Sequence, residues 1–134
     1  MLSVKTKYGL SVVLTLASNK AEKFSIKALS CACNVPKKYL EQILNALRKE
    51  GVVSSTRGVQ GGYQLGRLPS EITVYNIAYC LEKTVVFSEG YNGHGVLEAY
   101  WKSVDLMFKT SLNVTIEQLV KQYAAAKECL TYTI

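Results

Sequence analysis

The chain has 134 residues and a mass of 14.8 kDa, with 49% hydrophobic and 19% charged residues. This composition excludes a disordered chain, and the length fits one domain or one domain with a dimerisation arm. No apolar run reaches the roughly 18–20 residues that span a bilayer, and the N-terminus leads into a helical pattern instead of a signal peptide's apolar core. We therefore expect a cytoplasmic protein without a membrane segment.

The net charge of +6 is unevenly distributed along the chain. Residues 1–67 carry eleven Lys and Arg against three Glu, whereas residues 68–134 carry five Lys against seven acidic residues. A strongly basic first half next to a slightly acidic second half favours a polyanionic partner, such as nucleic acid, for the first half. A solvated basic face with no partner is the alternative that charge alone leaves open.

Three helices are predicted in the first half. Residues 5–18 form the first, and its apolar face is expected to hold Tyr8, Leu10, Val13, Leu14 and Ala17. Ser25 is a suitable N-cap for a short helix over residues 26–33. Pro36 suits the first position of a third helix, which Gly51 ends. Its inward face is expected to hold Tyr39, Leu40, Ile43, Leu44 and Leu47. A helix, a short helix, a tight turn and an amphipathic helix are typical of a helix-turn-helix.

A β-hairpin is predicted directly after the third helix. Residues 52–57 and 63–65 read as short strands around a glycine-rich loop that contains Gly58, Gly61 and Gly62. A phosphate-binding loop would lead from a strand into a helix, so this strand-to-strand loop argues against nucleotide binding. The pattern favours a hairpin wing, in which these glycines set the turn and let the backbone approach phosphates.

The second half predicts a helix over residues 73–83, a loop over 84–95, a long helix from 96 to about 112, and a last helix capped by Thr115. The long helix carries one apolar stripe of Leu97, Trp101, Val104 and Phe108 and a second of Val96, Tyr100 and Met107. Such a wide apolar arc predicts burial against both its own domain and a second subunit. The last helix is expected to pack through Ile116, Leu119, Val120 and Tyr123. We predict two units: a DNA-binding domain at 1–83, and a dimerisation region at 84–134.

Four segments together resemble the Rrf2 family of bacterial winged-helix transcription regulators. They are SVKTKYG at 3–9, YLEQ at 39–42, LRKEGVV at 47–53 and RGVQGGYQL at 57–65. The resemblance implies a mainly helical winged helix-turn-helix with a long dimerisation helix. It also implies a homodimeric repressor of double-stranded DNA that binds a pseudo-palindromic operator and controls cysteine, sulfur or redox-related genes.

Cluster-binding members of this family resemble one another in carrying three cysteines around the start of the long helix. Residues 84–101 of this chain contain no cysteine, although they offer Glu89, His94 and Glu98. An iron–sulfur cluster needs thiolate ligands, so we expect neither a metal nor another cofactor. The chain is therefore more similar to the family's cluster-free members, the cysteine-metabolism repressors, which also end in a short aromatic and aliphatic tail.

Candidate DNA contacts follow from side-chain chemistry. Lys37 and Lys38 would neutralise phosphates at the start of the third helix, Glu41 would accept from cytosine, and Gln42 would pair with adenine. At the wing, Arg57 would enter the minor groove, with Gln60 contacting the DNA from the loop tip. Lys5, Lys7 and Tyr8 would brace the DNA backbone from the first helix. The resemblance also implies operator reading by Glu41 and the placement of Arg57, while plain solvation is the alternative for these side chains.

Other functions are less well supported. Cys31 is a candidate redox thiol, because it lies away from the apolar stripe that holds Cys33 and close to lysines that favour a thiolate. No Ser/His/Asp or Cys/His arrangement has a supporting motif, so we expect no enzymatic activity. A thiol- or metal-based sensor and a protein-interaction module without specific DNA binding remain the alternatives. The regulatory signal could come from a small-molecule effector or from a partner protein.

Overall fold

The computed structural model describes residues 2–83, 85, 87–88, 90, 92–93 and 95–133, with side chains as far as residue 125 in the last helix. Its helices are α1 (Val4–Ser18), α2 (Ile26–Cys33), α3 (Lys37–Lys49), α4 (Val74–Glu82), α5 (Gly95–Ser111) and α6 (Ile116–Thr133). The strands β1 (Val53–Thr56) and β2 (Gly62–Leu65) follow α3, and a short 3₁₀ turn (Pro69–Glu71) precedes α4. The predicted fold class is confirmed, but the 3₁₀ turn was not predicted.

Helix α1 lies at the centre of the fold and contacts α2, α3, α4, α6 and β2. Its buried face consists of Thr6, Gly9, Val12, Val13, Leu16 and Ala17. The predicted face was therefore partly wrong, because Tyr8, Leu10 and Leu14 are only half-buried at its borders. The difference follows from a small residue. Helix α4 packs closely against Gly9, where a Cβ would collide with Leu81 Cδ1, so the buried face of α1 includes a position with little hydrophobicity of its own.

The turn between α2 and α3 is built from local hydrogen bonds and one left-handed residue. Ser25 Oγ accepts a 3.1 Å hydrogen bond from the amide of Ala28, which confirms the predicted cap. Asn34 ends α2 with φ 54°, and Pro36 precedes the first helical residue of α3 instead of occupying it. Four side chains of α3 are at most 1% exposed: Leu40, Ile43, Leu44 and Leu47. Tyr39, which was predicted to point inward with them, is 39% exposed.

The predicted hairpin is confirmed. Strands β1 and β2 are antiparallel, with Val53 paired to Leu65 at the open end and Thr56 paired to Gly62 at the loop. The other edge of β2 pairs with Phe24, whose amide donates to Tyr63 O at 2.9 Å and whose carbonyl accepts from the Tyr63 amide at 2.7 Å. The hairpin is thus attached to the segment that leads into α2, so the wing and the helix-turn-helix form one unit.

The end of α5 and the start of α6 are joined by hydrogen bonds to the segment around α4. The amide of Val74 donates to Val114 O, that of Tyr75 to Leu112 O, and that of Ile116 to Ile72 O, all within 3.0 Å. Thr115 caps α6 as predicted: its Oγ1 accepts from the amide of Gln118, and its own amide donates to Gln118 Oε1. Ile116 is fully buried in the core, and Leu119 and Val120 pack against it. Tyr123 is 54% exposed, so its predicted place in the core was wrong; it lines a surface cleft together with residues of α1 and α2.

Helix α5 has no buried residue in the single chain, although its second half contacts the preceding segment. The ring of Phe108 lies edge-on against Phe87, with centroids 5.0 Å apart. Asp105 accepts hydrogen bonds from the Ser88 hydroxyl at 2.6 Å and from the Phe87 amide. The Ser88 hydrogen bond, aided by that of the Phe87 amide, lowers the pKa of Asp105. The division of the chain at residue 83 remains a prediction.

Among the residues that the structure describes, no helix is long and apolar enough to cross a membrane.

We predict that Gly62→Ala destabilises the fold by about 2–3 kcal/mol, because it combines backbone strain with a steric clash. Gly62 has φ +146°, and a Cβ there would lie 2.8 Å from the carbonyl oxygen of Phe24. Urea unfolding followed by circular dichroism measures the change. Gly95→Ala is the matched control, since a Cβ there has no atom within 4 Å. Equal stabilities for the two variants would contradict the tight junction between Phe24 and β2.

Candidate nucleic-acid interface

The outward face of α3 presents the polar residues that the sequence singled out. Lys37, Lys38, Glu41 and Gln42 are all exposed, because the opposite face of the helix is buried in the core. They occupy the first one and a half turns of α3. In helix-turn-helix proteins the N-terminal end of the recognition helix, which corresponds to α3 here, contacts base edges. The structure therefore places these four side chains where such contacts are possible.

Tyr39 joins this surface, and sequence reasoning missed it. Its ring centroid lies 6.1 Å from that of Tyr8 on α1, and Lys38 Nζ lies 5.0 Å from the ring centre. A cation over an aromatic face is attracted by the ring quadrupole. Tyr39 thus links the first turn of α3 to α1 and restrains Lys38 from the side. Its position at the border of the apolar stripe was the available signal.

The loop of the hairpin holds the other predicted contacts. Arg57, Gly58 and Gln60 are exposed, while Gly61 and Gly62 are half-buried at the base of the loop. The loop is closed by a 3.0 Å hydrogen bond from the Gly61 amide to Gly58 O. Val59 at the tip is fully exposed and was not singled out from the sequence, although an apolar residue inside a glycine loop was a usable signal.

The N-terminal end of α1 is tied to the end of α4. The Ser3 amide and hydroxyl donate to Glu82 Oε1 at 2.8 and 2.6 Å, and the Thr6 hydroxyl donates to the same oxygen at 2.6 Å. Burial raises the pKa of Glu82, but the three hydrogen bonds outweigh it and leave the pKa below 4.5. This arrangement holds the turn that carries Lys5, Lys7 and Tyr8, of which Lys7 is exposed and the other two are half-buried.

Among the side chains that the structure describes, the charges of the basic half take part in no ion pair. The ion pairs among described side chains are Lys102 with Glu98 on α5 and Lys121 with Glu117 on α6, both in the acidic half. The lysines and arginines of α1, α3 and the hairpin therefore keep their charge available for an external anion. Phosphate groups are such anions, and duplex DNA presents them at high density.

The described cysteines differ in their surroundings. Cys31 is exposed, as predicted, whereas Cys33 is half-buried and its Sγ lies 3.3 Å from Thr15 Oγ1. Burial raises the pKa of Cys33, and hydrogen bonds to Thr15 and Ser11 offset this only in part. A protonated, half-buried thiol of this kind is inert. The redox role of Cys31 stays a prediction.

Comparison with known proteins identifies the relatives of this chain. A profile of the Rrf2 family, described as iron-dependent transcriptional regulators, matches residues 2–122. The HTH-type transcriptional regulator CymR of Bacillus subtilis is 40% identical over 82 residues, which are 60% of this chain and 59% of that protein. The HTH-type transcriptional regulator IscR of Photorhabdus laumondii is 30% identical over 128 residues, which are 89% of this chain and 78% of that protein. The match to CymR thus spans less than two thirds of that relative.

A solved structure shares the fold. The structure described as CymR, the global cysteine regulator of B. subtilis, superposes with a TM-score of 0.82 and 31% identity. It covers 91% of this chain and 97% of that chain. Helix order, hairpin and long helix therefore agree over nearly the full length of both chains.

The iron in the family description does not fit the donors present here. Iron–sulfur clusters are held by cysteine thiolates, and residues 84–101 contain none. Within the described part of the chain, no group of three His, Cys, Asp or Glu side chains is placed to hold a metal. Glu89 and His94, together with the tail at 130–134, lie outside the described side chains.

We predict that protein purified without oxygen is colourless and contains no stoichiometric iron or sulfide. The physical reason is that residues 84–101 contain no cysteine, and cysteine thiolates are the ligands that hold iron–sulfur clusters. Visible absorption and an iron and sulfide assay test this directly. A brown preparation that bleaches in air would show that cysteines from elsewhere in the chain assemble a cluster.

Replacing Glu82 should weaken folding in a pH-dependent way. Glu82→Gln removes the charge that three donors share, and we expect a loss of about 1 kcal/mol at neutral pH. Because the folded state lowers the pKa of Glu82, this stability is present above pH 4.5 and is lost as the pH falls through the folded pKa. Denaturant unfolding at several pH values measures it. Glu117→Gln, which breaks only an exposed ion pair, is the control; a pH-independent Glu82 effect would contradict the proposed cause.

Proposed function

The chain belongs to the Rrf2 family of transcriptional regulators, and we propose that it acts as a dimeric repressor that reads a pseudo-palindromic operator. The observation that carries the proposal is the division of α3 into two faces. Its apolar face lies in the core, while Lys37, Lys38, Glu41 and Gln42 face outward, and the hairpin loop is exposed as well. We expect it to act in the cytoplasm on double-stranded DNA.

Within α3, the proposed roles differ by chemistry. The two lysines neutralise phosphates, which adds affinity for any duplex and strengthens with decreasing salt. Glu41 and Gln42 meet base edges, where a carboxylate accepts from the cytosine amino group and an amide pairs with adenine. Since a carboxylate near DNA repels phosphates, Glu41 favours only those sequences that offer it a donor.

The hairpin supplies the proposed minor-groove contact. Arg57 directly follows β1, and the attachment of the hairpin to Phe24 fixes its position relative to α2 and α3. An arginine gains most in the narrow minor groove of A·T-rich segments, where the potential is most negative. Gln60 adds a polar contact at the tip, and Lys5, Lys7 and Tyr8 brace the backbone from α1.

Dimerisation is proposed to use the apolar surface of α5. The predicted interface residues Leu97, Trp101, Val104 and Phe108 are joined by a second stripe that is more exposed. In that stripe Val96 is 84% exposed and Met107 is 71% exposed. Exposed apolar surface on one face of a helix is stabilised by burial against a second copy. Two α3 helices related by a two-fold axis would then meet half-sites about one helical turn apart, or a multiple of it.

The target genes are proposed to belong to cysteine or sulfur metabolism. The support is the similarity to CymR, which is described as the global cysteine regulator of B. subtilis. A thiol-based response through the exposed Cys31 is the second candidate for regulation. Sequencing of the DNA bound across the genome would identify the operators, and an absence of sulfur genes among them would overturn this assignment.

Arg57→Ala and Lys37→Ala should weaken DNA binding in different ways. Losing Arg57 should cost about 1–3 kcal/mol on the specific operator, with the largest effect beside A·T-rich segments. Losing Lys37 should weaken specific and scrambled duplexes alike and reduce the salt slope by about one unit. Fluorescence anisotropy titrations at several salt concentrations separate the two.

Glu41→Ala completes this set as the variant that changes preference more than affinity. Loss of the carboxylate removes both an acceptor for cytosine and a repulsion from phosphate, so the two effects on affinity oppose each other. Identical profiles for Arg57→Ala and Lys37→Ala, or an unchanged base preference in Glu41→Ala, would contradict the division of roles.

Met107→Lys should give a monomer, whereas Leu106→Lys should remain a dimer. The two residues are adjacent and similarly exposed, but they lie about 100° apart around α5, so only Met107 belongs to the apolar stripe. Sedimentation velocity at micromolar concentration measures the state of each variant. A monomeric parent protein, or equal behaviour of the two variants, would exclude the proposed interface.

A further inference from the structure

A cleft between α3 and α4 lies beside the proposed DNA-reading surface. Gln42 is the one proposed DNA contact that also lines this cleft. It has a volume of about 560 Å³ and is lined by Gln42, Asn45, Ala46, Lys49, Glu50, Tyr79, Cys80 and Lys83. A smaller cleft of about 220 Å³ adjoins it and shares Glu50, Tyr79 and Cys80. Small-molecule sites commonly have volumes of this order and combine apolar surface with a few polar groups.

The charges around the two clefts favour an anion. Lys49 and Lys83 contribute two ammonium groups to the larger cleft, and Arg67 contributes a guanidinium to the smaller one, against the single carboxylate of Glu50. Arg67 Nη2 also donates a 2.5 Å hydrogen bond to the carbonyl oxygen of Glu50, which fixes the guanidinium at the end of α3. Neither lysine is in an ion pair within the described part of the chain.

The α4 side of the cleft also presents an aromatic ring and a thiol. Tyr79 is 54% exposed and stacks on Tyr75, with ring centroids 6.3 Å apart. Beside it, burial raises the pKa of the Cys80 thiol, and the Glu50 carboxylate raises it further. The cleft thus offers a flat apolar surface next to a protonated thiol, which suits reversible binding of a small planar molecule.

We propose that this cleft binds a small organic anion, a carboxylate with a planar apolar body, and that the bound anion weakens operator binding. The carboxylate pairs with Lys49 and Lys83, and the body lies against Tyr79. Gln42 and Asn45 belong both to the cleft and to the outward face of α3, so a bound negative charge lies next to approaching phosphates and repels them. Only this last step rests on the proposed DNA binding.

Benzoate and its uncharged analogue benzamide are the probes, with binding followed by chemical shifts of the backbone amides in the 134-residue chain. We expect millimolar benzoate to shift the amides of Lys49, Tyr79, Cys80 and Lys83, and benzamide to bind about tenfold more weakly because it lacks the charge. Lys83→Gln should weaken benzoate binding by a similar factor. Lys27→Gln, which removes an exposed lysine of α2 outside the cleft, is the control and should leave it unchanged.

Each outcome either supports anion binding in this cleft or overturns it. Shifts centred on α5, equal affinity for the two probes, or equal effects of the two lysine variants would overturn the proposal. If the parent protein binds no benzoate while Lys83→Gln weakens DNA binding, the proposal is overturned too, because Lys83 would then be a phosphate contact. Operator titrations with and without benzoate test the coupling. Failure to bind any operator in the absence of benzoate would instead refute the proposed function and leave the amide shifts interpretable.

Discussion

The burial of one apolar stripe of α3 determines where the candidate DNA contacts of that helix point. Leu40, Ile43, Leu44 and Leu47 are almost completely buried. Burial of an aliphatic side chain contributes about 1.5–3 kcal/mol, so the four together contribute roughly as much as the whole net stability of a typical domain. Exposed charge pairs contribute at most about 1 kcal/mol each. The orientation of α3 is therefore set by its core face, and its polar residues follow.

The connections to the rest of the molecule explain how a small domain holds the two candidate DNA-contacting elements, α3 and the hairpin, in fixed relative positions. The hairpin is bonded through Tyr63 to Phe24, two residues before α2, so it cannot move independently of the helix-turn-helix. On the other side, Glu82 gathers the donors of Ser3 and Thr6 and fixes the first turn of α1 against α4. Both connections use polar backbone or side-chain groups at the border of the core.

Elements with a strong local signal were predictable from the sequence. The cap at Ser25 and the glycine-rich hairpin follow from short-range rules, and both were confirmed. The apolar period of α3 was confirmed at its four buried aliphatic positions but was wrong at Tyr39. Positions decided by distant contacts were not predictable. Gly9 is buried because α4 packs on it, and Glu82 accepts from Ser3, which is 79 residues away in the sequence.

The candidate site shows the same limit. The outward polar residues of α3 follow from its period, whereas the contact of Tyr39 with the ring of Tyr8 on another helix does not. The alternation of the long helix indicated an apolar arc, but it could not show which stripe the chain itself would cover. The cleft at Tyr79 depends on the spacing between two helices, for which the sequence carries no direct signal.

The anchoring of α5 at one end has a mechanical consequence. Among described residues, its hydrogen bonds and ring contacts to other parts of the chain all involve position 105 or later, and they end in the backbone bonds to Val74 and Tyr75. Within the described part of the chain, α5 is therefore held beside α4 at its C-terminal end and makes no such contact at its N-terminal end. Its 17 residues extend over about 25 Å, so a tilt of about 5° at the C-terminal end displaces the N-terminal end by about 2 Å. In the proposed symmetric dimer both α5 helices would tilt together. A small change beside α4 would then alter the distance between the two α3 helices.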